Sequence, residues 1–252
     1  MEMNSIESLR LKIRPLLHLS APADALFAYY AFYHDSSRTA LYVHEQPDGR
    51  ADGFVAVCQT GQRLFTPTVA LHTPNASVAL DLLREALIPG RPYYLITTLD
   101  LRDVVTKVLT IGQPEVNHLY KLELHRINVA LNVLVVTEQG EGRFPRFVIR
   151  SQGQVASEAG VNWMSPHYAE LFVQTKPWAR GRSWGQAVLA ACSMWVVRSA
   201  RHPLCVVNAH NEASMALMRA VGYVDTGVRE FAGEGVYRLS LLKEQLKEQE
   251  KQ

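Results

Sequence analysis

The predicted strands and helices follow the same order twice along the chain. In the first half, the helix "NASVALDLLREALIPG" precedes the strand "RPYYLITTLD"; in the second half, the helix "GQAVLAACSMWVVRSA" precedes the strand "HPLCVVNA". Pro92 and Pro203, in the two strands, lie 111 positions apart, as do Leu101 and Glu212 beyond them. Alternating strands and helices are typical of mixed α/β proteins. The sequence therefore predicts two copies of one α/β unit, with two unrelated α/β domains as the alternative.

Other segments complete the two halves. The first half contains the predicted helices "PADALFAYYAFYH" and "LRDVVTKVLTIG", the hairpin strands "TALYVHEQ" and "GFVAVCQT", and the strand "LFTPTVAL". The second contains the strand-rich connector "LYKLELHRINVALNVLVV", the hairpin "RFVIRSQGQVASEAGVNWM", the strand "YAELFVQT" and the helix "NEASMALMRAVGY". We place the domains at residues 1–125 and 126–240. Residues 241–252 are predicted to form a charged tail, partly as a frayed helix.

Composition limits the class of protein and its partners. A chain of 252 residues with 48% hydrophobic residues can bury a substantial core. The net charge of +2 indicates neither nucleic acid nor an anionic membrane as the main partner. No window approaches the roughly 20 apolar residues of a membrane span, and the charged N-terminal region has no signal-peptide pattern. We expect a globular protein in the cytoplasm, without a nucleic-acid or membrane partner.

The cysteines and histidines indicate neither a disulfide framework nor a metal site. Cys58, Cys192 and Cys205 are odd in number, far apart and within apolar segments. This pattern suits buried free thiols in a reducing compartment. The nine histidines show no paired spacing of the kind that metal ligands have, so we predict that no metal is bound.

The segment "KPWARGRSWGQAVL" places positive charge and glycine directly before a predicted helix. The first N–H groups of a helix have no partner within it and lie at the positive end of its dipole, so they favour an anion. Gly181 and Gly185 would let a ligand approach the backbone closely, and Arg180 and Arg182 present guanidinium groups suited to phosphate. The segment predicts a pyrophosphate site, with an ordinary basic connector as the alternative.

Two motifs resemble those of the GNAT superfamily of acyl-CoA-dependent N-acetyltransferases. "PWARGRSWGQAVL" is similar to the coenzyme A loop, Gln/Arg-x-x-Gly-x-Gly/Ala, in two possible registers, from Arg180 or from Arg182. We prefer the first register, in which Ser183 replaces a glycine. "NEASMALMRAVGY" resembles the downstream motif N-x-x-A-x-x-x-Y-x-x-x-G-F at four of its five fixed positions, which are Asn211, Ser214, Gly222 and Tyr223. The resemblance covers roughly residues 144 to 232.

The resemblance implies a fold and a cofactor. The fold class is α/β with a mixed α+β sheet: tandem GNAT-like units, each a mostly antiparallel twisted sheet flanked by helices, with splayed central strands. Acetyl-CoA would be the acyl donor. The family's cofactor contacts fall on strand, loop and helix positions, which are Leu171, Phe172, Val173, Arg180, Gly181, Arg182, Ser183, Trp184, Gly185, Gln186, Ala187, Asn211 and Ser214. An ordinary helix cap is an equally good interpretation of Asn211.

Acyl transfer to an amine needs a base, an oxyanion donor and a proton for the leaving thiolate. Glu170 resembles the family's glutamate on the fourth strand, and a solvated or ion-paired strand residue is the alternative. Glu158 and His167 are weaker candidates. Where many members have a proton-donating tyrosine, this chain has Met218, which cannot donate a proton.

No residue obviously replaces that tyrosine. Tyr223, Tyr168 and Tyr237 are the candidates to supply the proton. Of these we take Tyr223 as the second catalytic candidate beside Glu170, although packing explains its family position equally well.

The first half lacks both motifs, because "HTPNAS" replaces the basic loop. It is predicted to be a degenerate copy that has lost the cofactor. The expected activity is transfer of an acetyl group to a primary amine of a small molecule or peptide, by a monomer or homodimer. A non-catalytic acyl-CoA-binding or regulatory module, and an acyltransferase that uses a longer acyl-CoA, remain the alternatives.

Overall fold

The computed structural model describes residues 5–61, 63, 65–127, 129, 132–140 and 142–238. The chain forms two compact units: unit 1 comprises Met1–Asn117 and Arg229–Gln252, and unit 2 comprises His118–Val228. This division differs from the predicted boundary at residue 125, because the segment from Arg229 onward belongs with the first unit rather than with the second. The predicted tail, residues 241–252, lies outside the described residues.

Unit 1 is a mixed sheet with helices. Its sheet has the order β1-β2-β3-β4-β12, with β5 pairing β12. Neighbouring strands are antiparallel except β3 and β4, which are parallel. The elements are α1 (Ile6–Ile13), α2 (Ala25–Ala28), β1 (Thr39–Glu45), β2 (Ala51–Cys58), β3 (Thr68–His72), α3 (Ala76–Ala86), β4 (Pro92–Thr98), α4 (Arg102–Val105), β5 (Leu109–Ile111) and the second part of β12 (Tyr223–Tyr237).

Unit 2 has a sheet of the same kind. Its strand order is β6-β11-β10-β9-β8-β7, and the first part of β12 lies beside β6, where the Thr226 hydroxyl donates to the Leu119 carbonyl. The β10–β11 pair is parallel, whereas β7, β8, β9 and β10 pair antiparallel in turn. The elements are β6 (Glu115–Leu122), β7 (Val136–Gln139), β8 (Pro145–Ser151), β9 (Gln154–Met164), β10 (Tyr168–Thr175), α5 (Trp184–Arg198), β11 (His202–Asn208) and α6 (Glu212–Val221).

Helices pack on the sheet of each unit. In unit 1, α3 contributes Val78, Leu82 and Leu83 to an apolar cluster with Leu71 and Leu95 of the sheet. The core of unit 2 is built in the same way, from α5 residues such as Val188 and Cys192 packed on β8, β9 and β10. The three cysteines are buried and unbridged, as predicted. No helix in the described ranges is both long and apolar enough to cross a membrane.

Several predicted elements change in detail. "LRDVVTKVLTIG" is helical only to Val105, and its end forms β5, because Leu109–Ile111 pair with β12. The segment "PADALFAYYAFYH" is helical as predicted, but it runs through a 3-10 turn and α2 into a π-helix over Tyr29–Tyr33. "LFTPTVAL" is extended only from Thr68. Neither α1 nor β12 was predicted. Part of the connector "LYKLELHRINVALNVLVV" lies outside the described residues.

Candidate active site

Strands β10 and β11 separate after a short paired stretch. They pair over three residues only, ending at Glu170 opposite Leu204. At the same point, β9 carries a bulge: Glu170 faces Trp163, whereas Leu171 faces Val161, which leaves Asn162 as the extra residue. A bulge increases local twist and bends a strand, which helps to turn β10 away from β11. The predicted splay therefore lies within unit 2 and opens directly after Glu170.

A cleft of about 570 Å³ lies beside the unpaired part of β10. It is lined by the end of β10, the loop that leads into α5, and the first turns of α6. It gathers most of the predicted cofactor residues: Val173, Arg180, Gly181, Arg182, Ser183, Trp184, Gly185, Gln186, Asn211 and Ser214. Five lining residues were not predicted, namely Gln174, Thr175, Ala179, Ala213 and Leu217. Two of them had a signal in the sequence, because the spacing of Ala213 and Leu217 places them one helical turn apart on the same face of α6.

Three predicted cofactor residues do not line this cleft. Leu171 and Ala187 are buried in the core of unit 2, where β10 packs on α5. Phe172 follows Leu171 on β10 and therefore lies on the other face of the sheet, since side chains alternate along a strand. Any contact of these three residues with a ligand in this cleft would have to come through their backbone groups.

The start of α5 has the features of an anion site. Ser183 precedes the helix with φ 56°, in the left-handed region, and within the described chain no side chain caps this helix start. Gly181 also has a positive φ of 78°. By helix geometry, the first N–H groups of α5 have no partner within the helix. Arg180 and Arg182 are exposed beside them, with Arg182 Cζ 5.0 Å from the centre of the Trp184 ring.

Gly185 lines the cleft and also allows close packing of α5. A Cβ at this position would lie 2.9 Å from Thr175 Oγ1 and 3.7 Å from a methyl group of Leu217. The Thr175 hydroxyl is itself held by Ser157, whose Oγ lies 2.8 Å away. The missing side chain of Gly185 thus lets α5 start close against β10, and the role of this glycine in ligand access stays a prediction.

Replacing Gly185 by alanine is expected to destabilise the protein by about 1–3 kcal/mol, the usual cost of overpacking a close contact. The free energy of unfolding by urea measures this cost. Adding Thr175→Ala removes the atom that the new methyl group would meet, so the double variant should lose less than the sum of the two single losses. Strict additivity would show that the contact at Gly185 is not what the glycine serves.

Glu170 lies at the opening of the splay with its carboxylate held on both oxygens. Oε1 accepts a hydrogen bond of 2.8 Å from Asn162 Nδ2, and Oε2 accepts one from Trp163 Nε1. The residue as a whole is half-buried, but its carboxyl group is enclosed by protein. Desolvation raises the pKa of Glu170 above its usual range, and the two hydrogen bonds lower it in part. A carboxylate with a raised pKa is suited to accept a proton near neutral pH.

The other predicted catalytic candidate, Tyr223, lies in the interior of unit 2. Its hydroxyl is 2.7 Å from Ser193 Oγ, and burial raises the pKa of Tyr223 well above its usual value. Only 2% of the residue is exposed, and it does not line the described cleft. Met218 is equally buried in the same core. These positions favour the packing interpretation of Tyr223.

The weaker candidates are distributed over the fold. Glu158 is ion-paired with Arg146 on β8. His167 is exposed in the turn between β9 and β10. Tyr168 is buried at the start of β10, where burial raises the pKa of its hydroxyl, and Tyr237 belongs to the core of unit 1. Among these four residues, only Tyr168 lies near Glu170 along β10.

Asn211 caps the start of α6, as one of its two interpretations predicted. Its Oδ1 accepts a hydrogen bond of 3.0 Å from Ser214 N at the start of α6. It also lines the cleft, so the cap places the amide group at the cleft wall. At the other end of α6, Gly222 has φ 105°, which confirms the predicted helix stop.

Unit 1 differs from unit 2 at the pair of parallel strands, β3 and β4, and at the start of the helix α3. After three parallel pairs between β3 and β4, the Thr97 hydroxyl donates to the Leu71 carbonyl at 3.0 Å. The start of α3 is capped by Asn75, whose Oδ1 accepts from Ser77 N. At these two positions, side chains of unit 1 form hydrogen bonds with the backbone. The loss of the cofactor site in the first half stays a prediction.

The absence of a bound metal stays a prediction. Among the residues that the structure describes, no three His, Cys, Asp or Glu side chains lie close enough to hold a metal ion.

Comparisons with known proteins identify the fold. No protein-family profile matches the chain, and a search of curated proteins finds no significant match. Among solved structures, a Drosophila protein is similar with a TM-score of 0.64 at 15% identity, over 94% of this chain and 97% of that one. A GCN5-related N-acetyltransferase from Kribbella flavida gives 0.59 at 12% identity, over 84% and 95%.

A third structure extends this similarity to the repeat. A tandem GNAT protein from the clavulanic acid biosynthesis pathway gives a TM-score of 0.55 at 14% identity, over 92% of this chain and 95% of that one. The chain therefore has the GNAT fold. Its two units together match a tandem GNAT protein, which confirms the predicted fold class.

Proposed function

We propose that unit 2 transfers an acetyl group from acetyl-CoA to a primary amine of a small molecule or peptide. The observation that carries this proposal is the open splay of β10 and β11. It starts at Glu170 and continues into a cleft that ends at the uncapped start of α5. Such a path suits an extended ligand with an anionic end, because unpaired strand groups bind its chain and the helix start binds its phosphates.

The residues of the cleft fit such a donor. Arg180 and Arg182 would pair with phosphate oxygens, and the N–H groups at the start of α5 would donate hydrogen bonds to the pyrophosphate. The unpaired backbone of β10, from Leu171 to Val173, would hold the arm between phosphate and thioester. Acetyl-CoA supplies the activated acyl group, and the chain's own task is to position it and to handle protons.

Glu170 is the group placed to handle the proton of the amine. In the transfer, the amine nitrogen forms a bond to the acyl carbon, the carbon–sulfur bond breaks, and the thiolate takes up a proton. The amine proton passes to the Glu170 carboxylate, directly or through water. No tyrosine lines the described part of the cleft, so solvent is the proton source that we propose for the thiolate.

A non-catalytic acyl-CoA-binding module is the second candidate. The observation that favours it is the buried methionine at position 218, where the GNAT motif has its proton-donating tyrosine. Such a module would bind the same ligand through the same cleft and leave it unchanged.

Two measurements test these candidates. Isothermal titration with acetyl-CoA should give saturable binding to the purified chain, and absence of binding would contradict both candidates. Release of free thiol from acetyl-CoA across a panel of primary amines should exceed the release without amine. Binding with no amine-dependent release would favour the binding module. We further propose a cytoplasmic monomer or homodimer that acts without a nucleic-acid or membrane partner.

A further inference from the structure

A second cleft lies on the face of the unit 2 sheet opposite α5. We call it the outer cleft; it has a volume of about 260 Å³, and its eight lining residues are Gly140, Gly142, Phe144, Pro145, Arg146, Gly160, Val161 and Phe172. Glu170 lies on the same face, since it is two residues before Phe172 on β10. The outer cleft is therefore on the side of the sheet towards which the proposed base points.

Gly160, which has no side chain, lies in the outer cleft beside the aromatic ring of Phe172. Gly160 pairs with Phe172, and a Cβ on Gly160 would lie 2.7 Å from the ring atom Phe172 Cε1. The ring is therefore folded over the glycine. Arg146 lies in the same row across the strands, because it precedes Phe147, which pairs with Ala159. An apolar surface and a guanidinium group thus meet across one glycine.

The guanidinium of Arg146 has hydrogen-bond donors beyond the one that pairs with Glu158. One terminal nitrogen, Nη2, donates to Glu158 Oε2. Its Nε is buried and has no hydrogen-bond partner among the described residues. Buried donors in folded proteins nearly always have a partner, and a guanidinium fork pairs best with a carboxylate or phosphate. Arg146 lines the outer cleft, so its remaining terminal nitrogen can pair with an anionic group that enters there.

The neighbouring charge selects the kind of anion. Glu158 already contributes one negative charge to the guanidinium, and its side chain is only 12% exposed. A phosphate with two charges would be repelled by this carboxylate more strongly than a carboxylate with one. The Phe172 ring favours an apolar group beside the anion. The outer cleft therefore suits a carboxylate carried on an apolar skeleton.

The position of Glu170 links this ligand to the acceptor. Two residues along β10 correspond to about 7 Å, so Glu170 lies within the length of a small molecule from the Phe172 ring. We propose that the outer cleft selects an acceptor amine that also carries a carboxylate. Arg146 pairs with this carboxylate, Phe172 covers the apolar part, and the amine faces Glu170. This inference rests on the proposed function and adds the class of acceptor, an amino carboxylate.

Equilibrium binding tests the outer cleft without relying on turnover. The probes are 3-phenylpropanoate and 3-phenylpropanamide, which differ only in the charged group, titrated calorimetrically into the full chain. We expect the acid to bind at least tenfold more tightly than the amide. Arg146→Gln should reduce the affinity for the acid to that for the amide. The matched control is Arg150→Gln on the same strand, which should change neither affinity. Arg150 pairs with Glu138 rather than with a residue of the outer cleft.

Two results would overturn the assignment: equal binding of the two probes by the wild-type chain, or an unchanged preference in Arg146→Gln. The wild-type comparison needs no variant, and Arg146→Lys, which keeps the charge but not the fork, should show an intermediate preference if Arg146→Gln does not fold. Acetyl transfer to L-phenylalanine and to L-phenylalaninamide separates this inference from the proposed function. Binding of the acid without transfer contradicts only the proposed function. Equal transfer to both amines contradicts only the outer cleft.

Discussion

Replacing Arg180 and Arg182 together by alanine is expected to weaken acetyl-CoA binding by at least a hundredfold. Each charge-assisted hydrogen bond contributes about 1.5–3 kcal/mol, so the loss of two corresponds to a factor of a hundred or more. Both side chains are exposed beside the start of α5, so their replacement should leave the fold intact. Titration calorimetry measures the affinity. The binding of the wild-type chain should also weaken as salt is raised, since exposed charges are screened.

A matched control uses two other exposed arginines of unit 2. Arg198 and Arg219 lie on α5 and α6 and do not line the described cleft. Their double replacement by alanine removes the same net charge, and it should change the affinity by less than threefold. If the control pair weakens binding as much as the loop pair, the effect is one of overall charge, and the assignment of the loop as the phosphate site is wrong.

Replacing Glu170 by glutamine is expected to lower kcat/KM for acetyl transfer by about 10²–10⁴, the usual contribution of a general base. Glutamine keeps the shape and can still accept the hydrogen bond from Trp163, so the affinity for acetyl-CoA should not change. Steady-state kinetics with a saturating acetyl donor measures the loss. A variant with wild-type turnover would exclude Glu170 as the base.

The pH dependence gives an independent measurement of the same group. Burial raises the pKa of Glu170, and only the ionised form accepts a proton, so kcat/KM should fall as pH decreases through that raised pKa. The midpoint should lie above the ordinary glutamate value of 4.5. Asn162→Ala removes a hydrogen bond that lowers this pKa, so it should move the midpoint to still higher pH. Glu85→Gln, on an exposed position of α3, should leave the profile unchanged.

Local sequence signals were sufficient where short-range physics decides the structure. Asn75 caps α3 and Gly222 ends α6, as the cap rules predict. The basic loop lies at a helix start as predicted, and Ser183 adopts the positive φ that the glycine of the family motif would adopt more easily. The repeat was predicted from the order of strands and helices. The splay came from the resemblance, because no local pattern specifies where two parallel strands separate.

Contacts between distant residues explain what the sequence did not predict. Gly233 and Gly235 interrupt the alternation of apolar and polar residues by which β12 could be predicted as a strand. A Cβ at either position would lie within 3 Å of Ile111. They are therefore glycines that allow β5 to pair closely. Gly185 is similar, since its close neighbour is Thr175 on β10. The outer cleft depends on Arg146, Gly160 and Phe172, which come from three strands and share no motif.

The strand β12 has a consequence for biosynthesis. Its second part pairs with β4, with Glu230 opposite Thr98, so unit 1 gains its last strand only after all of unit 2 has been translated. Unit 2 is almost continuous in sequence, from His118 to Val228. Because long-range pairing is slow to form, unit 2 can reach its folded state on the ribosome while unit 1 still exposes the edge of β4. A stalled chain that ends before Arg229 would thus carry the folded cleft of unit 2 together with an incomplete and aggregation-prone sheet.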